Sequence, residues 1–182
     1  SEITGGGMMN LPQEFTIEPW FKAWSSAQIG VEPTGLSPYF WNSIKMVVPA
    51  VAVSTILGAL NGYVLTKWRF KYDTILFGLM LFACFIPFQI VLIPMARMLG
   101  LMGLAGTTWG LALVHVVYGI GFTTLYFRNY YAVFPTELIR AAQIDGAGFF
   151  QIFWRILLPS SGPIAVVSII WQFTNIWNDF LF

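Results

Sequence analysis

Four long runs with almost no charge dominate the pattern of hydrophobic and polar positions along the chain. They cover residues 46–65, 74–95, 105–127 and 164–182. A helix of about twenty apolar residues is long enough to cross a hydrocarbon core that is roughly 30 Å thick. The pattern therefore predicts an all-α membrane protein, a polytopic bundle whose spanning helices occupy these four runs.

The stretch before the first run is polar and acidic. Residues 1–41 hold four prolines and four glutamates against a single lysine. We expect an extracytoplasmic loop over 1–41 and a transmembrane domain over 42–182. Aromatic side chains cluster at 20–24 and 39–41, where they suit either the lipid–water interface or the packing of a small folded loop.

The segment between the third and fourth runs, residues 128–161, mixes charged and apolar positions and is predicted to be a surface loop. Within it a short helix can begin with Thr136 as its N-cap and end at Gly146 in the left-handed conformation. A second piece, 149–158, is expected to lie along the membrane surface and to stop at Pro159. The side chains expected on its membrane side are Phe149, Phe153, and Ile156 or Leu157.

Composition narrows the class of protein. With 57% hydrophobic residues, 9% charged residues and a net charge of +1, the chain fits a membrane protein whose partners are lipid and other proteins. Nine dispersed bases against eight acids form no basic face, so no nucleic-acid partner is expected. The sequence lacks a phosphate-binding glycine loop, a zincin pair and a Gly-x-Ser-x-Gly elbow. We therefore expect no catalytic residue, metal site or cofactor, and interpret the chain as a protein that is not an enzyme.

Polar residues inside the apolar runs are the candidates for a solute pathway. Asn61 needs a polar partner away from lipid, and Gln89 lies between two prolines that are expected to kink the second run. Gln89 either faces a pathway or bonds to the backbone that the prolines free. Trp171, Asn175 and Asn178 share one helical face, which we expect to line the pathway or to contact another subunit.

Other residues in the runs have simpler explanations. A lone histidine in a helix is more often hydrogen-bonded to a neighbour than a metal ligand or a proton relay, and we expect the same of His115, the only histidine. Asp179 is expected near the far membrane interface rather than on a water-filled path, because a carboxylate is costly to bury in lipid. Gly58 and Gly62 form a small-xxx-small pair that is expected to bring another helix close.

The basic residues orient the chain. If the loop after the first run and residues 128–161 are both cytoplasmic, six of the nine Lys and Arg residues lie inside. By the positive-inside rule this arrangement is favoured, and residues 1–41 then lie outside. The six are Lys67, Arg69, Lys71, Arg128, Arg140 and Arg155.

The segment 137–159 resembles the signature loop of the membrane subunits of binding-protein-dependent ABC importers. That loop reads Glu-Ala-Ala, three residues, Gly, nine residues, Ile, any residue, Leu-Pro. The family's Glu is replaced here by Arg140, so the charge contact that the family makes at that position does not carry over to this chain. The positions that fall in register are Ala141, Ala142, Gly146, Ile156, Leu158 and Pro159.

The resemblance implies a coupling helix that docks into a cleft on a cytoplasmic ATP-binding subunit. Small residues allow such a helix to lie closely in a groove, and Ala141 and Ala142 are expected on its surface. ATP would be bound by that partner and not by this chain. The residues expected to make or shape the contact are Glu137, Arg140, Ala141, Ala142, Asp145, Gly146 and Ala147.

From about residue 42 the chain is similar to the maltose-type sugar permeases, with Ala-Leu-Asn-Gly-Tyr at 59–63 similar to the glucose and mannose branch. The resemblance implies the type I ABC importer (MetI-like) permease fold in the inner membrane, with six spans of which the first and last are absent here. It also implies a second permease subunit in a heterodimer and an extracytoplasmic sugar-binding protein.

Two alternatives to a sugar importer stay open from the residues. The same kind of permease could import a polyamine, a phosphate or an amino acid, or the chain could be a channel or scaffold without ATP coupling. A sugar is favoured because aromatic and amide side chains crowd the last run, where no basic cluster offers a site for an anion.

Overall fold

The computed structural model describes residues 16–29 and 33–179. The chain divides into two compact units, residues 1–43 and residues 44–182. Regular secondary structure in the described residues is helical, without a β-strand, which confirms the predicted all-α fold. The helices are α1 (Glu18–Ser25), α2 (Ser37–Lys67), α3 (Asp73–Cys84), α4 (Phe88–Leu101), α5 (Thr108–Ala132), α6 (Thr136–Ile144), α7 (Phe149–Ile152), α8 (Leu158–Ser160) and α9 (Gly162–Asn178), with a π-helical turn, Phe153–Leu157, between α7 and α8.

Helices α2 and α5 are each long and apolar enough to cross a membrane alone. Two helix pairs meet the same test only together: α3 with α4, bent by 102°, and residues 149–160 with α9, bent by 79°. The described residues therefore hold two continuous candidate spans, or four if each bent pair is one span.

The boundaries of the long helices differ from those expected. Helix α2 begins at Ser37, within the predicted loop 1–41, because Pro38 sits in the first turn, where its missing N–H costs no hydrogen bond. Helix α5 continues to Ala132, so residues 128–132 belong to a spanning helix and not to the predicted loop. Helix α9 ends at Asn178, and residues 180–182 lie outside the described part of the chain.

The predicted single helix over 74–95 is two helices. The chain leaves α3 at Phe85, and Pro87, with φ −57° and ψ 124°, stands just before α4. A proline cannot continue the hydrogen-bond ladder and holds the residue before it out of the helical region, so α3 ends here. Pro94 remains inside α4 and does not break it.

Helices α2 and α5 are in close contact through small residues. A Cβ at Gly58 would collide with the side chain of Thr123, and one at Gly62 would come within 2.8 Å of the backbone nitrogen of Arg128. The Thr123 hydroxyl donates to the carbonyl of Ser54 across this contact, at 2.9 Å. The small-xxx-small prediction at Gly58 and Gly62 is therefore confirmed, with α5 as the partner helix.

The first unit contains an amphipathic helix. In α1 the side chains of Ile17, Trp20 and Phe21 are exposed on one face, and Glu18 and Lys22 form an ion pair of 2.8 Å on another. A hydrogen bond from Lys22, and the attraction of its charge, lower the pKa of the Glu18 carboxyl. The ring of Trp24 packs edge-on against Phe40 at 5.3 Å, which supports the packing explanation for these two rings. For the exposed Trp20 and Phe21 the interfacial explanation stays a prediction.

Candidate functional site: the coupling loop and the α5–α9 cavity

Residues 133–161, here called the coupling loop, are bonded to the end of α2 at the point where α6 begins. The Lys67 ammonium, on the last residue of α2, donates to the Phe134 carbonyl at 2.8 Å and to the Thr136 hydroxyl at 3.3 Å. Thr136 is therefore the first helical residue and not the N-cap that the sequence predicts, because its hydroxyl oxygen is bonded to Lys67 while Pro135 occupies the cap position.

Helix α6 has one buried face. Ile139 and Ala142 lie in a core cluster that they share with Tyr63 of α2 and Tyr131 of α5. The prediction that Ala142 lies on the helix surface is wrong, since its methyl group fills this cluster. Ala141, on the next position, is exposed as expected.

The opposite face of α6 is open and mixed in character. Leu138 is 52% exposed and Ile144 is 87% exposed, which is unusual for large aliphatic side chains unless a partner covers them. The charged residues of the predicted coupling set, Glu137, Arg140 and Asp145, are also exposed. The exposed members of the predicted coupling set are Glu137, Arg140, Ala141, Asp145 and Gly146, with Ala147 half-buried.

Gly146 ends α6 in the left-handed conformation that the sequence predicts, with φ +82°. The N–H of Gly146 donates to the Gln143 carbonyl at 3.0 Å, and the N–H of Ala147 donates to the Ala142 carbonyl at 2.8 Å. This pair of bonds is the Schellman motif, which requires a left-handed residue at the position of Gly146. The motif turns the chain back toward the bundle.

The second piece of the loop, residues 149–158, packs on protein. The prediction that its apolar side faces the membrane is therefore wrong. The ring of Phe149 stacks on Tyr63 with centroids 4.8 Å apart, and Phe153 stacks on the same ring at 6.1 Å. Leu157 is buried in the same cluster. The helix also passes Pro159, because proline is tolerated in the first turn of α8 after the wider π-helical turn.

Two tyrosines of α5 hold the bend that leads into α9. Tyr130 donates from its hydroxyl to the Ser160 carbonyl at 2.7 Å, and the hydroxyls of Tyr131 and Ser161 are hydrogen-bonded at 3.2 Å. The coupling loop is therefore in contact with α2 through Lys67 and Tyr63, and its last residues, Ser160 and Ser161, are hydrogen-bonded to α5 just before α9 begins.

A cavity of about 470 Å³ lies between α5, α9 and the break between α3 and α4. Of the five predicted pathway residues, Trp171, Asn175 and Asn178 line it. Asn61 does not, since its amide donates to the Thr124 hydroxyl at 3.3 Å in the α2–α5 contact. Gln89 does not either, and is exposed on α4.

The opposite wall of the cavity comes from α5 and was not predicted. It consists of His115, Tyr118, Gly119 and Phe122. Their spacing of three, four and seven residues marks one face of a helix, and this signal is present in the sequence. Sequence reasoning misses this wall because only one of its four residues, His115, has a side chain whose chemistry suggests a site.

A buried hydrogen bond joins the α9 wall of the cavity to the α5 wall. The amide of Gln172, which is buried, donates to the His115 carbonyl at 3.0 Å and occupies the space that a side chain at position 119 would need. Asp179 lines the cavity, with its Oδ2 4.0 Å from His115 Nδ1, and its position near the far interface stays a prediction. The histidine gives the carboxylate a polar neighbour.

Comparison with known proteins decides the family. Residues 38–182 match the family described as the binding-protein-dependent transport system inner membrane component. The chain belongs to this family. The family description and the apolar helices make it a multi-pass inner-membrane protein.

Individual relatives agree with this assignment. A probable ABC transporter permease protein of Pyrococcus horikoshii is 44% identical over 122 residues, which cover 66% of this chain and 44% of the relative. The diacetylchitobiose uptake system permease protein of Streptomyces coelicolor is 31% identical over 94% of this chain and 55% of its own length. The xylose/arabinose import permease protein of Haloferax volcanii is 34% identical over 81% of this chain and 53% of its own length. The chain thus spans about half the length of the curated relatives it matches.

Proposed function

We propose that this chain is the transmembrane permease subunit of an ATP-driven sugar importer, in which it forms half of the solute pathway. A separate ATP-binding subunit would hydrolyse ATP and drive alternating access through the coupling loop. The family description supports a binding-protein-dependent importer, and the printed names of the Streptomyces and Haloferax relatives support a saccharide as the solute.

The observation that carries the proposal is the two-sided packing of α6. One side, Ile139 and Ala142, is fixed in the core formed by α2 and α5, and the other side exposes Leu138 and Ile144. A short helix of this kind suits a groove on another protein, where its exposed apolar residues become buried. Force applied to the exposed side is transmitted through packed side chains to the spanning helices.

The charges of the exposed side set the character of the expected contact. Arg140, Glu137 and Ala141 all lie on the exposed surface of α6, so the cleft of the ATP-binding subunit would meet a cation, an anion and a small apolar side chain. Arg140 stands where related subunits have Glu. We infer that the partner of this chain has a complementary acidic or neutral group opposite Arg140.

Further parts of the proposal concern sidedness and partners. The excess of bases in the loop after α2 and in the coupling loop favours a cytoplasmic position for both. A second permease subunit would complete the pathway, and an extracytoplasmic sugar-binding protein would deliver the solute. ATP would be held by the ATP-binding subunit alone.

Co-purification tests the class of protein directly. The full-length chain, tagged and extracted in mild detergent, is expected to bring down an ATP-binding subunit and a second permease subunit. In a deletion strain, uptake of labelled saccharides should fall and return on complementation. Recovery of the chain without any ATP-binding subunit would favour a channel or scaffold, and unchanged saccharide uptake would favour another solute.

A further inference from the structure

Three polar side chains on the α9 wall of the cavity are hydrogen-bonded to the backbone of their own helix. Thr174 donates its hydroxyl proton to the Ile170 carbonyl at 2.8 Å. Asn175 and Asn178 donate from their amide nitrogens to the carbonyls of Trp171 and Thr174, also at 2.8 Å. Each of the three side chains thus directs a donor to its own helix, four residues back.

The oxygens of these side chains are left to face outward. A threonine has a single O–H, so once it is donated the hydroxyl oxygen acts only as an acceptor, and an asparagine amide oxygen has two lone pairs. Thr174, Asn175 and Asn178 are all exposed and all line the cavity. Each asparagine also keeps a second amide N–H, so the wall suits a ligand whose groups both donate and accept hydrogen bonds, as hydroxyls do.

Charge narrows the ligand class. The described lining contains neither Lys nor Arg, so no cation is available to hold an anion. The one carboxylate in that lining, Asp179, supplies a single negative charge, which matches a polycation poorly. A neutral molecule rich in hydroxyl groups fits both conditions.

Shape and aromatic surface agree with such a ligand. The cavity volume of about 470 Å³ is within the range of roughly 300–1,000 Å³ usual for small-molecule sites. Trp171 is only half-buried and is held by the ring of Phe122, with centroids 4.6 Å apart. A fixed indole offers an apolar face against which the C–H groups of a sugar ring can pack.

We propose that this cavity is a saccharide-binding site, in which the ligand's hydroxyls donate to Thr174, Asn175 and Asn178 while its ring lies against Trp171. The proposal rests on the importer function proposed above and names where this subunit itself holds the solute. The Gln172 amide, bonded to α5, keeps the α9 wall in register with the α5 wall.

Equilibrium dialysis on the assembled importer tests the site. The full-length permease, purified with its ATP-binding and second permease subunits and trapped with ATP and vanadate, is offered labelled D-glucose, D-xylose, diacetylchitobiose, spermidine and gluconate. At least one neutral saccharide should bind. Replacing Asn175→Ala and Asn178→Ala together should weaken that binding by about tenfold or more, since each loses a hydrogen-bond acceptor.

The matched control is Val166→Ala, an exposed residue of α9 outside the cavity, which should leave binding unchanged. ATP hydrolysis stimulated by the loaded binding protein should persist in both variants. Undiminished saccharide binding in the double asparagine variant, binding of spermidine or gluconate in preference to saccharides, or no saccharide binding at all would each overturn the site. Loss of stimulated ATP hydrolysis in the unmodified complex would instead count against the importer function.

Discussion

At the scale of single residues, two neighbouring alanines have opposite roles. Ala142 is buried among Tyr131, Phe153 and Ile139, whereas Ala141 is exposed on the far side of the same helix turn. The sequence motif treats them as a pair. The structure separates them because a helix rotates by about 100° per residue and the buried stripe of α6, which contains Ile139 and Ala142, does not reach Ala141.

Substitution of these alanines by leucine should therefore give different results. Ala142→Leu overfills the core and should destabilise the permease by about 1–3 kcal/mol, measured as a lower thermal unfolding temperature in detergent. Ala141→Leu should leave that temperature unchanged and reduce co-purification of the ATP-binding subunit. Equal loss of stability in both variants would contradict the assignment of faces.

Gly146 offers a second prediction at this scale. A valine there would be forced to φ +82°, at a cost of about 1–3 kcal/mol, and the Schellman turn would be strained. Gly146→Val should permit membrane insertion but lower the solute transported per ATP hydrolysed. Gly148→Val is the matched control, because Gly148 has φ −78° and open space around it. Similar transport ratios in the two variants would argue against a coupling role for the turn.

At the scale of elements, α1 has an apolar face that the described residues leave largely exposed. Trp20 is 78% exposed and Phe21 lies beside it, while Lys22 and Glu18 pair on another side. The same unit contains the first turns of α2, the helix that goes on to span the membrane. Trp and aromatic side chains accumulate at lipid–water interfaces, and an amphipathic helix lies there with its apolar face down.

Spin labels can measure the depth of α1 in nanodiscs. In a Cys84→Ala background, a label at Trp20→Cys should collide mainly with oxygen, which concentrates in lipid. A label at Lys22→Cys, about 160° around the helix, should collide mainly with a water-soluble nickel chelate. Equal access of the nickel chelate to both positions would rule out an interfacial helix.

The elements also show how far sequence reasoning extends. Uncharged runs indicate which segments enter the membrane, and Gly146 marks the end of α6, because these features depend on local composition and backbone conformation. The break at Pro87 was expected only as a kink, since local sequence does not reveal whether packing around a proline is interrupted. The partners of Phe149 and Phe153 were missed for a related reason: an apolar helix face fits lipid and protein equally well until Tyr63 is known to lie opposite.

At the scale of the whole molecule, the proposed orientation can be checked by labelling. In a cysteine-free background, Gln143→Cys in α6 should react with a membrane-impermeant maleimide only in inside-out vesicles. Met102→Cys, exposed after α4, should react only in intact, right-side-out preparations. These sides follow from the excess of Lys and Arg near α6. The reverse pattern would show that the coupling loop cannot meet a cytoplasmic ATPase.

The Gln172 amide that occupies the space above Gly119 has a mechanical consequence. It prevents α9 from sliding or rotating along α5 without first breaking a buried hydrogen bond, and Gly58 against Thr123 restricts α2 in the same way. The three helices would then turn as one rigid body. If the chain alternates access as proposed, the α3–α4 break, where proline has already interrupted the backbone bonds, would be suited to act as a hinge.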